Sequence, residues 1–131
     1  MNISLIDKRV LSLSLSHLDA KESESDGQIH IKIGSEIFTK KDDVTLFRVR
    51  YPFNLEIKGL VKISLLYDFD FKSDSDITPE TLSSELLTIT APTLAYPYIK
   101  SYVENLLSVS GYAVTGIPFL DFTVTPLNQK S

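Results

Sequence analysis

Residues 60–71 read LVKISLLYDFDF, and this stretch decides the fold class. Apolar side chains occupy every second position from Val61 to Phe71, and the positions between them are mostly polar or charged. A period of two places successive side chains on opposite faces of a β-strand. The stretch therefore predicts a strand with one buried face.

Three segments upstream of this strand show similar patterns and predict further strands at Val10–Leu18, Gln28–Phe38 and Val44–Ile57. The tight connections between strands favour an antiparallel sheet of four strands. Gly34 inside the second strand indicates a bulge. Proline cannot donate a ladder hydrogen bond, so Pro52 predicts that the third strand lies at a sheet edge or breaks there.

After the fourth strand the period changes to that of helices. Thr78, Pro79 and Glu80 form a typical helix start, which predicts a short helix to about Thr88. A second, long amphipathic helix is predicted from Ala91 to Gly111, with a proline at position 97 that should kink it or mark its first turn. Residues 112–125 are predicted to be extended. The fold class is therefore α+β.

The composition excludes several functions. The 131 residues are enough for one domain, and they contain no Cys, no Trp and two His, with a net charge of −4. These numbers argue against a thiolate zinc site, a cysteine nucleophile and a nucleic-acid surface. Asp68-x-Asp70 and Asp74-x-Asp76 lack the turn glycine and distal glutamate of a calcium loop. We therefore expect no catalytic residue, metal or cofactor, and surface positions for His17 and His30.

Two features of charge bear on location and partners. Charges begin at Asp7, before any apolar signal region, and no uncharged run is long enough to cross a bilayer, so we expect a cytoplasmic chain without membrane contact. Acidic residues gather in the second half of the chain. These residues are Asp68, Asp70, Asp74, Asp76, Glu80 and Glu85. They form either a solvated strand end and loop or a docking patch for a basic partner.

Six tyrosines and seven phenylalanines supply the remaining signal. Most of these rings should simply form the core. Leucines and isoleucines could fill much of that core, however, so the surplus of rings favours either a subunit interface or a groove for apolar peptide.

Residues 91–98 read APTLAYPY. With the amphipathic helix, Gly111 and Pro118 after them, they resemble the hallmark segment of the SecB export chaperones. Leu46, Val49 and the run up to Gly59 resemble the third strand of that family. Residues 49–53, VRYPF, are similar to a stretch of uncharacterised SecB-like proteins from Gram-positive bacteria and phage. The resemblance covers roughly residues 28–125.

The resemblance implies a four-stranded antiparallel sheet followed by a short and a long helix on one face, in one SecB-like domain over residues 1–131. It also implies a dimer or tetramer that holds unfolded or apolar polypeptide without ATP, in aromatic grooves between sheet and helix. The alternative is a non-catalytic assembly or scaffold protein that uses the fold without binding clients. The predicted peptide-binding residues are Leu46, Phe47, Tyr51, Phe53, Tyr96, Tyr98, Phe119 and Phe122.

Two departures from the SecB pattern concern the motor protein SecA. Arg48 stands where the family has an acidic residue that helps to dock SecA, and Arg50 lies beside it. The charge reversal should repel the same partner surface. We also expect no counterpart of the C-terminal helix of SecB after Pro126. We therefore expect weak or no SecA binding. The family's second known role, as a dedicated chaperone of antitoxins, would not need that docking site.

Overall fold

The computed structural model describes residues 2–19, 28–82, 85–113 and 116–127. Five strands come first along the chain, followed by helical elements. The strands are β1 (Ile3–His17), β2 (Ile29–Ile33), β3 (Glu36–Thr39), β4 (Leu46–Ile57) and β5 (Val61–Ser73). The helical elements are α1 (Pro79–Leu82), a π-helical turn (Leu86–Thr90) and α2 (Ala91–Val109).

All strand pairs are antiparallel, in the spatial order β1-β5-β4-β2. Strand β3 also pairs with β4, so β2 and β3 follow one another along the same side of β4. They correspond to the single predicted strand Gln28–Phe38, interrupted near Gly34. The sheet is therefore four strands wide although it contains five strands, and the α+β fold class is confirmed.

Pro52 corrects one prediction, because β4 is a central strand and runs through this proline without a break. The carbonyl of Pro52 accepts a 2.9 Å hydrogen bond from the N–H of Gly34, in the gap between β2 and β3. In a strand, the N–H and C=O of one residue point to the same side. The donor that proline lacks therefore faces the gap, and the neighbouring strand is the one that breaks.

The core lies between one face of the sheet and α2. The alternating apolar residues of β4 and β5 are buried from end to end, as their spacing predicts. From α2, Ile99, Val103 and Leu107 are buried against them. Burying a side chain of this size contributes roughly 1.5–3 kcal/mol, so this layer is the main source of stability.

The predicted long helix is present, and the predicted short helix lies partly on residues outside those described. Helix α2 ends at Val109, and Gly111 follows in the left-handed region with φ of 94°, as predicted for its cap. The helix continues through Pro97. Of the predicted short helix, the structure describes α1 and the π-helical turn, which leads directly into α2, and residues 83 and 84 lie outside the described residues. In the part of the chain described, no helix has the length and apolar character to cross a bilayer.

Candidate functional site

Tyr96, in the second turn of α2, is the centre of an aromatic cluster. Its ring centroid lies 6.5 Å from those of Phe53 and Phe119 and 5.9 Å from that of Phe122. Burial raises the pKa of Tyr96 to about 12, and its hydroxyl donates a 2.7 Å hydrogen bond to the carbonyl of Pro118. The structure thus brings four of the eight predicted site residues together, from β4, α2 and the chain after α2.

The C-terminal segment (residues 116–127) is held against the helical layer at both ends. Near its start, the Ile117 N–H donates a 2.9 Å hydrogen bond to Glu104 Oε2. This bond, together with the Lys100 ammonium 3.1 Å from the same carboxylate, holds the pKa of Glu104 below its usual value. At its end, the Leu127 N–H donates to the Thr88 carbonyl at 2.8 Å. Three buried side chains anchor the segment: Ile117, Phe122 and Leu127.

A turn inside this segment corrects the prediction that residues 112–125 are extended. The Asp121 carboxylate accepts a hydrogen bond from the Thr123 N–H at 3.0 Å, and the Asp121 carbonyl accepts one from the Thr125 N–H at 3.0 Å. An aspartate that bonds its own following backbone favours a turn over a strand. As a result, Phe122 is buried whereas Val124 is exposed.

An apolar groove of about 540 Å³ lies between Ile33 of β2 and the C-terminal segment. Its most exposed large apolar side chains are Phe119, at 68% of its full exposure, and Val124, at 77%. The buried ring of Phe122 lies behind them. Grooves of this volume with apolar and aromatic walls are typical of ligand-binding sites. Monomeric proteins rarely expose contiguous large apolar side chains without a binding role.

The other four predicted residues lie elsewhere. Phe47 is stacked on Phe71 with centroids 5.3 Å apart, and Tyr51 meets Phe69 edge-on at 5.7 Å; both predicted residues are buried in the core. Leu46 lies on the opposite face of the sheet. Tyr98 lies on the β1 side of α2, 43% exposed. Phe47 and Tyr51 can meet a client only if the core opens, whereas Leu46 and Tyr98 are accessible but lie outside the groove.

Sequence reasoning missed most of the residues that line the groove, among them the apolar Ile33, Leu120, Val124 and Leu127. Ile33 does stand on the apolar face of a predicted strand. Nothing in the sequence pattern, however, indicates that the C-terminal segment returns to lie beside that strand. Pairings between residues almost 90 positions apart leave no periodic signal, so this groove could not be read from the sequence.

The outer face of the sheet, opposite α2, carries paired charges. Arg48 makes two hydrogen bonds to Asp70, at 2.6 and 3.1 Å, and Arg50 makes two to Asp68, at 2.8 and 3.2 Å. The bond to Asp70 raises the pKa of Arg48. The Asp68 side chain is only 4% exposed. Two of the six residues of the predicted acidic patch are therefore neutralised within the sheet.

The two histidines lie at the surface. His17 and His30 are exposed, as predicted, and His17 Nδ1 lies 3.0 Å from the Tyr112 hydroxyl. Within the residues that the structure covers, no three or more His, Cys, Asp or Glu side chains gather to hold a metal ion.

The similarity of this chain to known proteins is one of structure. The sequence matches no protein-family model and no curated protein. Among solved structures, the chain is similar to a SecB-like chaperone of Mycobacterium tuberculosis in complex with a peptide from an antitoxin. The TM-score is 0.74 and the identity 19%, over 91% of each chain.

A protein of unknown function from Streptococcus agalactiae is also similar, with a TM-score of 0.54 and 11% identity over 92% of this chain and 98% of that chain. At such identities the likeness concerns the fold. The fold of this chain is SecB-like.

Proposed function

We propose that this chain is an ATP-independent holdase that binds unfolded or apolar polypeptide in the groove between β2 and the C-terminal segment. The single observation that carries the proposal is the exposure of Phe119 and Val124 beside a buried aromatic cluster. Apolar contacts of this kind are non-directional, so they accept many sequences. No nucleotide or metal takes part in this proposal.

The similar mycobacterial chaperone supports the class of client, because its structure contains a peptide from an antitoxin. That peptide is part of the mycobacterial structure. A polypeptide client is proposed for the present chain by analogy with it. Its chemistry follows from the groove: we propose an extended segment with bulky aliphatic or aromatic side chains. We propose that the chain itself works as a homo-oligomer in the cytoplasm.

The neutralised outer face supports weak or no binding of SecA. A basic partner needs free carboxylates, and Arg48 and Arg50 already occupy those of Asp70 and Asp68. We therefore propose that client holding is independent of the export motor. A complex with SecA of micromolar or tighter affinity would contradict this part of the proposal.

The test is suppression of aggregation without ATP. A denatured client is diluted into buffer with the chain at several-fold excess, and light scattering is followed. We expect scattering to fall with the wild-type chain. We expect Phe119→Asp to lose the effect while its far-UV circular dichroism and melting temperature stay near those of wild type, because the side chain is mostly exposed.

Phe38→Asp is the matched control, since Phe38 is a partly exposed phenylalanine on β3 that points to the outer face. It should suppress aggregation as well as wild type does. Equal activity of Phe119→Asp and wild type would place client binding outside this groove. No suppression by wild type at several-fold excess would overturn the holdase and favour the assembly or scaffold function.

A further inference from the structure

The outer face of the sheet carries different charges at its two ends. The arginine–aspartate pairs occupy one end, where each cation has a carboxylate partner. The other end is formed by β2 and the adjoining parts of β4 and β5, and it contains an open cavity of about 340 Å³. Five polar side chains line this cavity, and we call them the basic outer patch: His30, Lys32, Asn54, Glu56 and Lys62.

The cations of the basic outer patch are not neutralised within the chain. Lys32 and Lys62 are exposed, and neither forms an ion pair in the part of the chain that the structure describes. Glu56 is the one carboxylate among the five residues, and it stands between His30 and Lys62 in the sheet register. Two ammonium groups therefore accompany one carboxylate, and the patch keeps a positive charge in a chain whose net charge is −4.

Asn54 adds neutral hydrogen-bond donors at the centre of the patch. Its side-chain carbonyl accepts a 2.8 Å hydrogen bond from the Ser64 hydroxyl. The N–H groups of the same amide donate to no other group among the described residues. An amide whose oxygen is already bonded offers mainly its two donors. The patch thus combines two positive charges with unused donors, and this combination suits a ligand with negatively charged oxygens.

The spacing of the two lysines sets the shape of such a ligand. Lys32 pairs with Asn54 on one side of β4, and Lys62 pairs with Glu56 on the other side. Two strand spacings and two residues separate the lysine Cα atoms, which corresponds to about 12 Å. In an extended chain, residues four positions apart project to the same side and lie about 13 Å apart. Two carboxylates at this interval match the two ammonium groups.

We propose that the basic outer patch docks an acidic segment of a partner protein, bound in extended form with carboxylates four residues apart. Lys32 and Lys62 would each bind one carboxylate, and the Asn54 amide would donate to a main-chain carbonyl between them. Polypeptide fits better than nucleic acid, because the patch is small and the acidic chain as a whole repels a polyphosphate. The patch and the client groove lie on opposite faces of the sheet, so the proposal does not rest on the holdase function.

The experiment measures binding of a dye-labelled peptide to the full chain by fluorescence anisotropy. The peptide has about twelve residues of glycine and serine, with glutamate at every fourth position. We expect saturable binding that weakens at least about fivefold when NaCl is raised from about 50 to about 500 mM, because salt screens exposed charges. The same peptide with glutamine in place of glutamate should not bind.

Four variants locate the contact. Lys32→Glu and Lys62→Glu should each weaken binding about fivefold, because each replaces an attraction by a repulsion. Glu56→Gln should strengthen binding about twofold, since it removes the carboxylate from the patch. Lys72→Glu is the matched control: Lys72 is an exposed lysine on the same strand and face as Lys62, at the far end of the sheet. It should bind within about twofold of wild type.

A loss in Lys72→Glu as large as that in Lys62→Glu would show that net charge alone attracts the peptide, and would overturn the proposal. The absence of binding at about 50 mM NaCl would overturn it as well. Tighter binding of a single-stranded DNA of the same length than of the peptide would assign the patch to nucleic acid instead. If a lysine variant fails to fold, Glu56→Gln decides, because weaker or unchanged binding by that variant contradicts the assignment.

Discussion

Two buried tyrosines show how one atom decides the energetic role of a side chain. The Tyr96 hydroxyl donates to the Pro118 carbonyl, whereas no protein group in the described chain bonds the Tyr51 hydroxyl. Burial without a partner also raises the pKa of Tyr51. Both side chains are buried, and they differ in the hydrogen bond of the hydroxyl.

Tyr96→Phe should therefore lower the free energy of unfolding by about 1 kcal/mol, since it leaves a carbonyl without its donor. Tyr51→Phe should leave that free energy unchanged or raise it, because it removes a polar atom that gains nothing in the core. Urea denaturation at neutral pH measures both. A larger loss for Tyr51→Phe than for Tyr96→Phe would contradict these roles.

At the residue scale, the sequence predicted which side chains are buried better than it predicted which are accessible to a client. Alternation along β5 predicted its buried face, whereas Phe47, Tyr51 and Phe53 of β4, which the sequence predicts to bind peptide, lie in the core. The sequence predicts peptide binding for these bulky residues because an aromatic ring suits a core and a groove equally well. Only the position of the C-terminal segment distinguishes the exposed Phe119 from the buried Phe122.

At the scale of elements, the strands and the long helix follow from local patterns, and the exceptions have a common cause. Pro52 predicted an edge or a break in β4, and the break instead occurs in the neighbouring strand, at Gly34. The width of the predicted apolar face of α2 likewise exceeds what the core needs, since Leu94 and Tyr98 remain exposed. In both cases the outcome depends on contacts with an element distant in sequence. A local sequence pattern carries no information about such contacts.

The C-terminal segment depends on Glu104, which gives its attachment a pH dependence. The folded-state pKa of Glu104 is lowered from an ordinary value of 4.5, chiefly by the hydrogen bond from the Ile117 N–H. A lowered pKa means that the carboxylate stabilises the folded chain above the unfolded-state value, and that this contribution is lost as pH falls through the folded-state value.

Glu104→Gln should thus reduce the free energy of unfolding at pH 7, by no more than about 1 kcal/mol because the carboxylate is partly exposed. The difference from wild type should shrink as pH falls below 4.5. Urea denaturation of both chains from pH 7 to pH 3 measures it. A difference that stays constant over this range would show that the charge of Glu104 does not hold the segment.

At the scale of the whole molecule, α2 lies along the middle of the sheet and leaves two apolar flanks. One lies beside β2 and the C-terminal segment, and the other beside β1. Of these two flanks, the proposed function assigns the client to the one beside β2, and the number of aromatic rings alone could not distinguish them. The outer face carries the arginine–aspartate pairs.

The central claim is that client polypeptide lies along the β2 flank, and amide hydrogen exchange tests it most directly. The wild-type chain is measured alone and with a saturating amount of a reduced, carboxymethylated protein that stays unfolded without denaturant. We predict slower exchange in the C-terminal segment and in β2, with exchange in β3 unchanged. Protection confined to β1, or no protection anywhere in the presence of bound client, would contradict the account.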